Sequence, residues 1–197
     1  TGKTIVALHR AVFLARRHPE ARVLLTTFSE TLAGALRTLL RRLISNEPKL
    51  AERLEVQGLG KVGRRLYERK FGRPKTASDE EIKSLMKSAS AQIGEHKFSD
   101  HFLSDEWSNV VDAWQLADWE AYRDVRRLGR KTRLAETQRE KLWAVFENVR
   151  AGLHEQGKLT EADQLAKVTQ WLEQAEHPPF DHAVIDEAQD VSVPQLR

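Results

Sequence analysis

Two short motifs at opposite ends of this chain carry residue types suited to phosphate chemistry. The first, Thr1-Gly2-Lys3-Thr4, matches the end of the pattern GxxxxGK followed by Ser or Thr, whose opening glycine we expect upstream of Thr1. In that pattern backbone N–H groups cradle phosphates, the lysine reaches the β- and γ-phosphates, and the hydroxyl ligates Mg²⁺. Thr1 to Thr4 are therefore candidate nucleotide-binding residues, with Thr4 also a metal ligand.

The second motif is an apolar run, 183–185, followed by Asp186 and Glu187. It predicts a buried strand that delivers carboxylates, with Asp186 on Mg²⁺ and Glu187 polarising an attacking water. Each motif alone also fits an ordinary structural element, namely a loop-to-helix junction or an acidic strand end. Together they predict an ATP site that uses Mg²⁺.

The elements that must position these motifs follow from apolar patterns and capping residues. We expect the first helix, over 3–17, to aim its positive dipole end at the phosphates. Its predicted buried face comprises Ile5, Val6, Leu8, Val12, Phe13 and Ala15. The predicted strands are 21–27 and a short one over 54–56. The predicted helices are a Ser29-capped helix to Leu43, a basic helix over 61–71, a helix opened by a capping box at Ser78 and a Thr160-capped helix to 175. We also predict wholly helical structure over 98–156.

The separation of the two motifs indicates an insertion. Lys3 and Asp186 lie 183 positions apart, whereas a parallel crossover needs only about a dozen residues or more. We therefore predict an α/β fold, a P-loop NTPase with a parallel sheet, into which an all-helical subdomain is inserted.

Composition limits the function classes. The chain has 197 residues, 40% of them hydrophobic, which suffices for one sizeable core or two small ones. It has no apolar run of about 18 residues, so we expect no transmembrane helix and no membrane partner. The absence of cysteine excludes disulfides and thiolate chemistry. It also fits a reducing compartment, and we expect a cytoplasmic protein.

The combination of TGKT, the segment 24–29 (LLTTFS) and DEAQD at 186–190 resembles the UvrD/Rep group of superfamily 1 helicases. The resemblance covers the whole chain in order: motif I, motif Ia, a helical insertion and motif II. It implies a RecA-like first motor domain, in two parts at 1–60 and 158–197, around a mainly helical subdomain at 61–157. It also implies ATP-driven translocation along single-stranded DNA and duplex unwinding, typically 3′ to 5′.

The resemblance extends to individual residues. By motif match Lys3 and Thr4 bind phosphate and Mg²⁺, Asp186 binds the metal, and Glu187 is the hydrolytic base. Gln189 stands where the family couples the state of the γ-phosphate to the rest of the motor.

In motif Ia, Thr27 and Phe28 stand where the family contacts single-stranded DNA. One departure follows this motif, because Gly58 and Gly60 occupy the place where the family usually reads T-x-H-S after a strand.

Two basic segments are independent candidates for nucleic-acid contact. Between Lys61 and Lys75 there are seven basic residues and one acid, and between Arg123 and Lys141 eight basic residues and three acids. Such segments can neutralise phosphates, or they can be solvated helix faces. We predict that Arg126, Arg127 and Arg130 grip duplex ahead of a junction. The five tryptophans are expected mainly in the helical core.

Two other functions stay open. A helicase-like ATPase can instead remodel a protein machine such as RNA polymerase, and the segment 6–11 is reminiscent of that group. A binding-only nucleic-acid module is disfavoured, because it has no need of Lys3, Thr4, Asp186 and Glu187. The resemblance implies a second RecA-like domain that supplies an arginine finger, a group worth about 10³ to 10⁵ in rate. We therefore expect negligible ATPase activity from this chain alone.

Overall fold

The computed structural model describes residues 2–94, 97–127, 130 and 132–196. The chain forms two compact units. The first, which we call the sheet unit, comprises Thr1–Lys70 and Lys167–Arg197. The second, the helical unit, comprises Phe71–Ala166 and interrupts the sheet unit in the sequence. The domain bounds at 60 and 157 stay a prediction.

Strands are interspersed with helices at both ends of the chain. From Gly2 to Phe71 the elements are α1 (Gly2–Arg17), β1 (Val23–Thr27), α2 (Glu30–Leu43), α3 (Pro48–Arg53), β2 (Leu54–Gly58) and α4 (Leu59–Phe71). After the helical unit they are β3 (His182–Ile185), a 3₁₀ turn (Ala188–Asp190) and α10 (Val193–Leu196). Ser29 caps α2 as predicted, since its hydroxyl accepts the Leu32 N–H at 3.2 Å.

The three strands form one parallel sheet in the order β2-β1-β3. The register pairs Val23 with Leu54 on one side and with His182 on the other. All five residues of β1 are buried, as expected for a central strand of a parallel sheet covered on both faces. This mixed α/β arrangement confirms the predicted fold class.

Helix α1 covers one face of the sheet with only part of its apolar surface. Its buried residues are Leu8, Ala11, Val12 and Ala15, which recur at the three- and four-residue spacing of a single helix face. The prediction that Ile5, Val6 and Phe13 are also buried is wrong, since they are 48%, 68% and 50% exposed. The apolar residues of α1 lie on more than one side of the helix, so their pattern alone does not indicate which side faces the sheet.

Strand β3 is half-buried on one face and exposed on the other. Val184 packs against the core that contains the buried residues of α1, whereas Ala183 and Ile185 point to the opposite side and are exposed. The prediction of a buried strand is therefore wrong for Ala183 and Ile185. Successive side chains of a strand alternate in direction, and β3 has a neighbouring strand on one side only within the described residues.

The helical unit packs around α8. Its elements are α5 (Asp79–Ile93), α6 (Asp100–Glu106), a π-helical turn (Trp107–Val111), α7 (Trp119–Asp124), α8 (Glu136–Glu155) and the start of α9 (Glu161–Glu173). The predicted capping box opens α5, with Ser78 and Glu81 bonding each other's backbone N–H. Its core includes Trp107 and Trp143, as predicted, but Trp114 is 37% exposed.

The prediction of continuous helix over 98–156 is wrong. The chain leaves the π-helical turn through Gln115, which has a left-handed backbone (φ 51°). After α7 it is non-helical at 125–127, 130 and 132–135. Arg139 explains where α7 ends, because its Nη1 donates to the carbonyls of Tyr122 and Arg123 at 2.8 and 2.7 Å. Within the described ranges, none of the helices combines the length and apolar character needed to cross a bilayer.

Candidate functional site

The direction of α1 brings the first motif to the carboxyl edge of the sheet. At the other end of the helix, the Ala21 N–H donates to the His18 carbonyl at 3.0 Å. The His18 ring also lies 5.0 Å from the His182 ring, at the start of β3. A helix of 16 residues is ~24 Å long and a strand of 5 residues ~16 Å. Since α1 packs on both β1 and β3, its first turn reaches past the strand ends.

That first turn carries the residues predicted to bind phosphate. Lys3 is exposed, and no described atom outside α1 lies within 4 Å of the position that a Cβ on Gly2 would take. Thr4 is half-buried. Thr1 lies outside the described residues. The start of α1 therefore has the positive dipole end of a helix and the lysine that favour a phosphate group.

Asp186 follows β3 directly and is 3% exposed. Its N–H donates to the Thr26 carbonyl at 2.8 Å, which extends the pairing of β3 with β1 by one residue. Its Oδ2 is buried without a hydrogen-bond partner in the described part of the chain. A buried carboxylate oxygen is costly unless it is paired or bound to a metal. The structure therefore fits a cation at this oxygen.

The donor set suits Mg²⁺ bound together with a nucleotide. No group of three or more His, Asp or Glu side chains in the described ranges could hold a metal ion by itself. Mg²⁺ commonly binds one or two protein oxygens and takes its other ligands from water and substrate phosphates. The protein oxygens that the sequence predicts as Mg²⁺ ligands belong to Asp186 and Thr4.

Glu187 has an unusual backbone for its residue type. Its φ of 53° lies in the left-handed region. For a residue other than glycine, this conformation costs about 1 kcal/mol or more in free energy. Its carboxylate is half-buried and accepts a hydrogen bond from Gln189 Nε2. Gln189 is exposed and also lies 3.4 Å from Asp190 Oδ2. The turn thus directs a carboxylate and an amide away from the strand, next to Asp186.

The two residues predicted to contact single-stranded DNA differ in their exposure to solvent. Thr27 is fully buried, and its Oγ1 makes no hydrogen bond with the described residues. Phe28 is 44% exposed at the carboxyl end of β1. Phe28 therefore has the exposure that base stacking requires, whereas Thr27 faces the interior.

The three predicted duplex-binding arginines also differ in their surroundings. Arg126 is exposed. The side chain of Arg127 is only 5% exposed, and both its Nε and Nη2 donate to the buried Glu106 carboxylate at 2.6 Å. Arg130 is 19% exposed and bonds Glu106 and Asp105. Of these three arginines only Arg126 is exposed, and duplex binding by this segment stays a prediction.

Sequence reasoning missed Glu30, which joins motif Ia to the end of β2. Glu30 Oε2 accepts the Gly58 N–H at 2.8 Å, and Lys61 lies 3.6 Å from its other oxygen. This backbone hydrogen bond, with the nearby Lys61 and Arg37, lowers the pKa of Glu30. An acid in the first turn of α2 and a glycine at the end of a strand were the only signals in the sequence.

Much of the basic surface of α4 is neutralised within the sheet unit. Arg64 pairs with Glu68 at 3.1 Å, and Arg65 pairs with Glu55. Lys70 lies over the Trp171 ring at 5.7 Å. Arg69 is exposed and has no ion pair with the described residues. The net charge of this segment therefore overstates what it offers to a phosphate backbone.

The chain matches the family described as the UvrD/REP helicase N-terminal domain over residues 1–197. The match spans the full length of the chain, from the first motif to the residues that follow the second. No curated protein matches the chain.

Proposed function

We propose that this chain, which belongs to the UvrD/REP helicase family as an N-terminal domain, couples ATP hydrolysis to movement along single-stranded DNA. As part of the complete motor, it would unwind duplex in the 3′ to 5′ direction. Family membership supports a helicase motor domain.

The observation that carries the proposal is that both motifs lie toward the same edge of a parallel sheet. The start of α1, with Lys3, and the buried Asp186 are far apart in the sequence but lie toward the same strand ends. Ligands of open α/β sheets bind at this edge. The unpartnered Asp186 Oδ2 supports a metal–nucleotide complex there rather than a purely structural role.

The roles follow from the chemistry of each group. Lys3 and the N–H groups at the start of α1 would bind the phosphates, and Thr4 and Asp186 would hold Mg²⁺. Bound there, Mg²⁺ neutralises the charge that develops on the phosphate oxygens. Glu187 would orient the attacking water and accept its proton. Gln189, which is hydrogen-bonded to Glu187, would report the state of the γ-phosphate.

Phe28 is the candidate link to DNA. It follows Thr27 at the carboxyl end of β1, which pairs directly with β3, the strand that Asp186 follows. A base stacked on an exposed aromatic ring contributes about 1–3 kcal/mol without selecting sequence. Contact between Phe28 and a base would therefore connect the DNA to a strand that touches the nucleotide site.

The test is ATP hydrolysis by the complete motor, with the whole P-loop and the second RecA-like domain, measured with and without single-stranded DNA. We expect a large stimulation by DNA that Glu187→Gln abolishes while nucleotide binding remains. Basal hydrolysis that DNA leaves unchanged and RNA polymerase raises would reject the DNA motor in favour of the protein-remodelling ATPase.

Direction is tested separately with partial duplexes that carry a single-stranded tail at either the 3′ or the 5′ end. We expect unwinding of the substrate with the 3′ tail, because a motor that moves 3′ to 5′ along that tail reaches the duplex. Lys3→Ala is the matched control, because it should leave DNA binding in place and remove unwinding on both substrates. Preference for the opposite tail would reject the proposed direction.

A further inference from the structure

Three buried side-chain oxygens near the carboxyl edge of the sheet have no hydrogen-bond partner within the described residues. Gln57 Oε1 belongs to β2 and is paired with Thr26 in the register. The other two are Thr27 Oγ1 on β1 and Asp186 Oδ2, the candidate metal ligand after β3. Thr27 is fully buried and Asp186 is 3% exposed. Buried hydroxyl and carboxylate oxygens are normally hydrogen-bonded, so two unpartnered ones on neighbouring strands need an explanation.

The register places these residues beside each other. Strand β1 pairs with β3 through Val23 and His182, Leu25 and Val184, and Thr26 and Ile185. One step further along this register, Thr27 lies opposite Asp186, and the Asp186 N–H bond to the Thr26 carbonyl continues the ladder to that point. Paired residues of neighbouring strands project from the same face.

That face is the one covered by α1. Leu25 and Val184 precede the pair by two residues on their strands and pack in the core formed with α1. Thr27 and Asp186 repeat this orientation at the strand ends. Both side chains therefore project toward the side on which α1 begins with Gly2 and Lys3.

Thr26 provides an internal comparison. It is also fully buried, but its side chain projects from the opposite face, and its Oγ1 donates to the Gln57 carbonyl at 2.8 Å. These adjacent threonines of the same strand are both buried but differ in their hydrogen bonding. The hydroxyl of Thr26 is satisfied within the sheet, whereas that of Thr27 is not.

We infer that Thr27 is a positioning residue for the metal–nucleotide site, and that its hydroxyl hydrogen-bonds the Asp186 carboxylate or a water on the bound Mg²⁺. This inference rests on the proposed ATP site. A hydroxyl donor fixes the orientation of a carboxylate ligand and satisfies its second oxygen, as outer-shell partners do in other metal sites. It replaces the DNA contact predicted for Thr27, because a fully buried side chain is not accessible to a DNA strand.

The experiment measures cation binding directly. Mn²⁺ replaces Mg²⁺ in the complete motor, and its affinity in the presence of ADP is measured by electron paramagnetic resonance. Thr27→Val keeps the shape and removes the hydroxyl, so we expect Mn²⁺ affinity to fall about 10-fold. Thr27→Ser keeps the hydroxyl and should stay within about twofold.

Two further measurements distinguish positioning from folding. Without nucleotide, Thr27→Val should keep or raise the thermal midpoint, because it removes an unpaired buried hydroxyl. Thr26→Val should lower the midpoint, because it breaks a made hydrogen bond, and should leave Mn²⁺ affinity unchanged. If the valine variant does not fold, Thr27→Ala compared with Thr27→Ser carries the same test.

Asp186→Asn separates failure of the inference from failure of the proposed function. If Asp186→Asn weakens Mn²⁺ binding and Thr27→Val does not, the inference is wrong and the ATP site stands. If neither variant changes Mn²⁺ binding, the proposed ATP site is itself wrong. If Thr27→Val lowers affinity for single-stranded DNA and leaves Mn²⁺ binding intact, Thr27 is a DNA contact.

Discussion

Arg127 and Glu106 form a two-pronged ion pair inside the helical unit, with both N–O distances at 2.6 Å. The Glu106 side chain is fully buried, and the Tyr122 hydroxyl donates to it at 3.1 Å. Burial, with the neighbouring Glu106 carboxylate, raises the pKa of the Tyr122 phenol, which therefore stays protonated as the donor. This pair anchors the segment after α7 to the end of α6.

Arg127→Ala should lower the free energy of unfolding by about 3 kcal/mol, since it removes the main partner of a buried carboxylate. Denaturant unfolding of the complete motor checks this value. Arg126→Ala is the matched control, because Arg126 is exposed, and it should change stability by less than about 0.5 kcal/mol. Replacing both partners, by Glu106→Gln with Arg127→Met, should recover most of the loss. Equal effects of the two alanine variants would contradict the assigned pair.

Arg126→Ala should weaken duplex binding and reduce the slope of log affinity against log salt concentration by about 0.9, the value for one phosphate contact. The measurement is a salt titration of binding to a junction substrate. Arg17→Ala, at the exposed end of α1 away from the predicted ATP site, is the control and should leave the slope unchanged. An unchanged slope for Arg126→Ala would identify a solvated arginine. Variants that also alter Arg127 are unsuitable for this test because they disturb folding.

Asp112 should make stability depend on pH. Burial raises its pKa to about 6, helped by Asp163 and Glu161 and opposed by the hydrogen bond from Thr160 (2.7 Å) and by Arg150. An unfolded aspartate titrates near 3.9, so the folded chain binds the proton more tightly. The resulting stability is fully present below about pH 4 and is lost as pH rises through about 6.

The check is the difference in unfolding free energy between the parent and Asp112→Asn from pH 4 to 8. Asparagine keeps an oxygen for the Thr160 hydroxyl and does not titrate in this range. Relative to this variant, the parent should lose up to about 3 kcal/mol between pH 4 and pH 7. A difference that stays constant with pH would show that Asp112 is not desolvated.

A side chain at position 58 should destabilise the chain, whereas one at position 60 should not. A Cβ on Gly58 would lie 3.0 Å from the Glu30 nitrogen and 3.2 Å from its Cα. Gly58→Ala should therefore destabilise the chain by about 1–3 kcal/mol, because backbone must move. A Cβ on Gly60 would meet only the end of the Gln195 side chain at 3.6 Å. Gly60→Ala, in α4, should be neutral or stabilise by about 0.5 kcal/mol. Thermal unfolding of both variants decides, and similar losses would contradict the close approach.

Local signals in the sequence were sufficient for the elements that hold the site. Ser29 and the capping box at Ser78 mark helix starts because a cap acts within three residues of its own position. The two motifs likewise contain their own context, a glycine and lysine before a helix and acids after a strand. The parallel sheet then followed from the order of helices and strands.

What the sequence could not show depends on partners distant along the chain. Arg127 and Glu106 are 21 positions apart, so a run of basic residues does not tell which arginine is paired. The same limit applies to Thr27, whose neighbour Asp186 comes from the far end of the chain. The Gly58 and Glu30 contact has the same origin, and it gives the glycine that departs from the family pattern a structural reason.

The discontinuity of the sheet unit has a consequence for the order of folding. Strands β1 and β2 meet across 31 positions, whereas the Arg22 N–H reaches Asp181 across 159. Closing the longer loop costs about 1.4 kcal/mol more in chain entropy. The bridge between Thr76 and Leu159 shortens that loop once the helical unit has formed. We therefore expect β3, and the acidic residues that follow it, to dock last, so that a nascent chain brings together the residues of the proposed nucleotide site only at the end of folding.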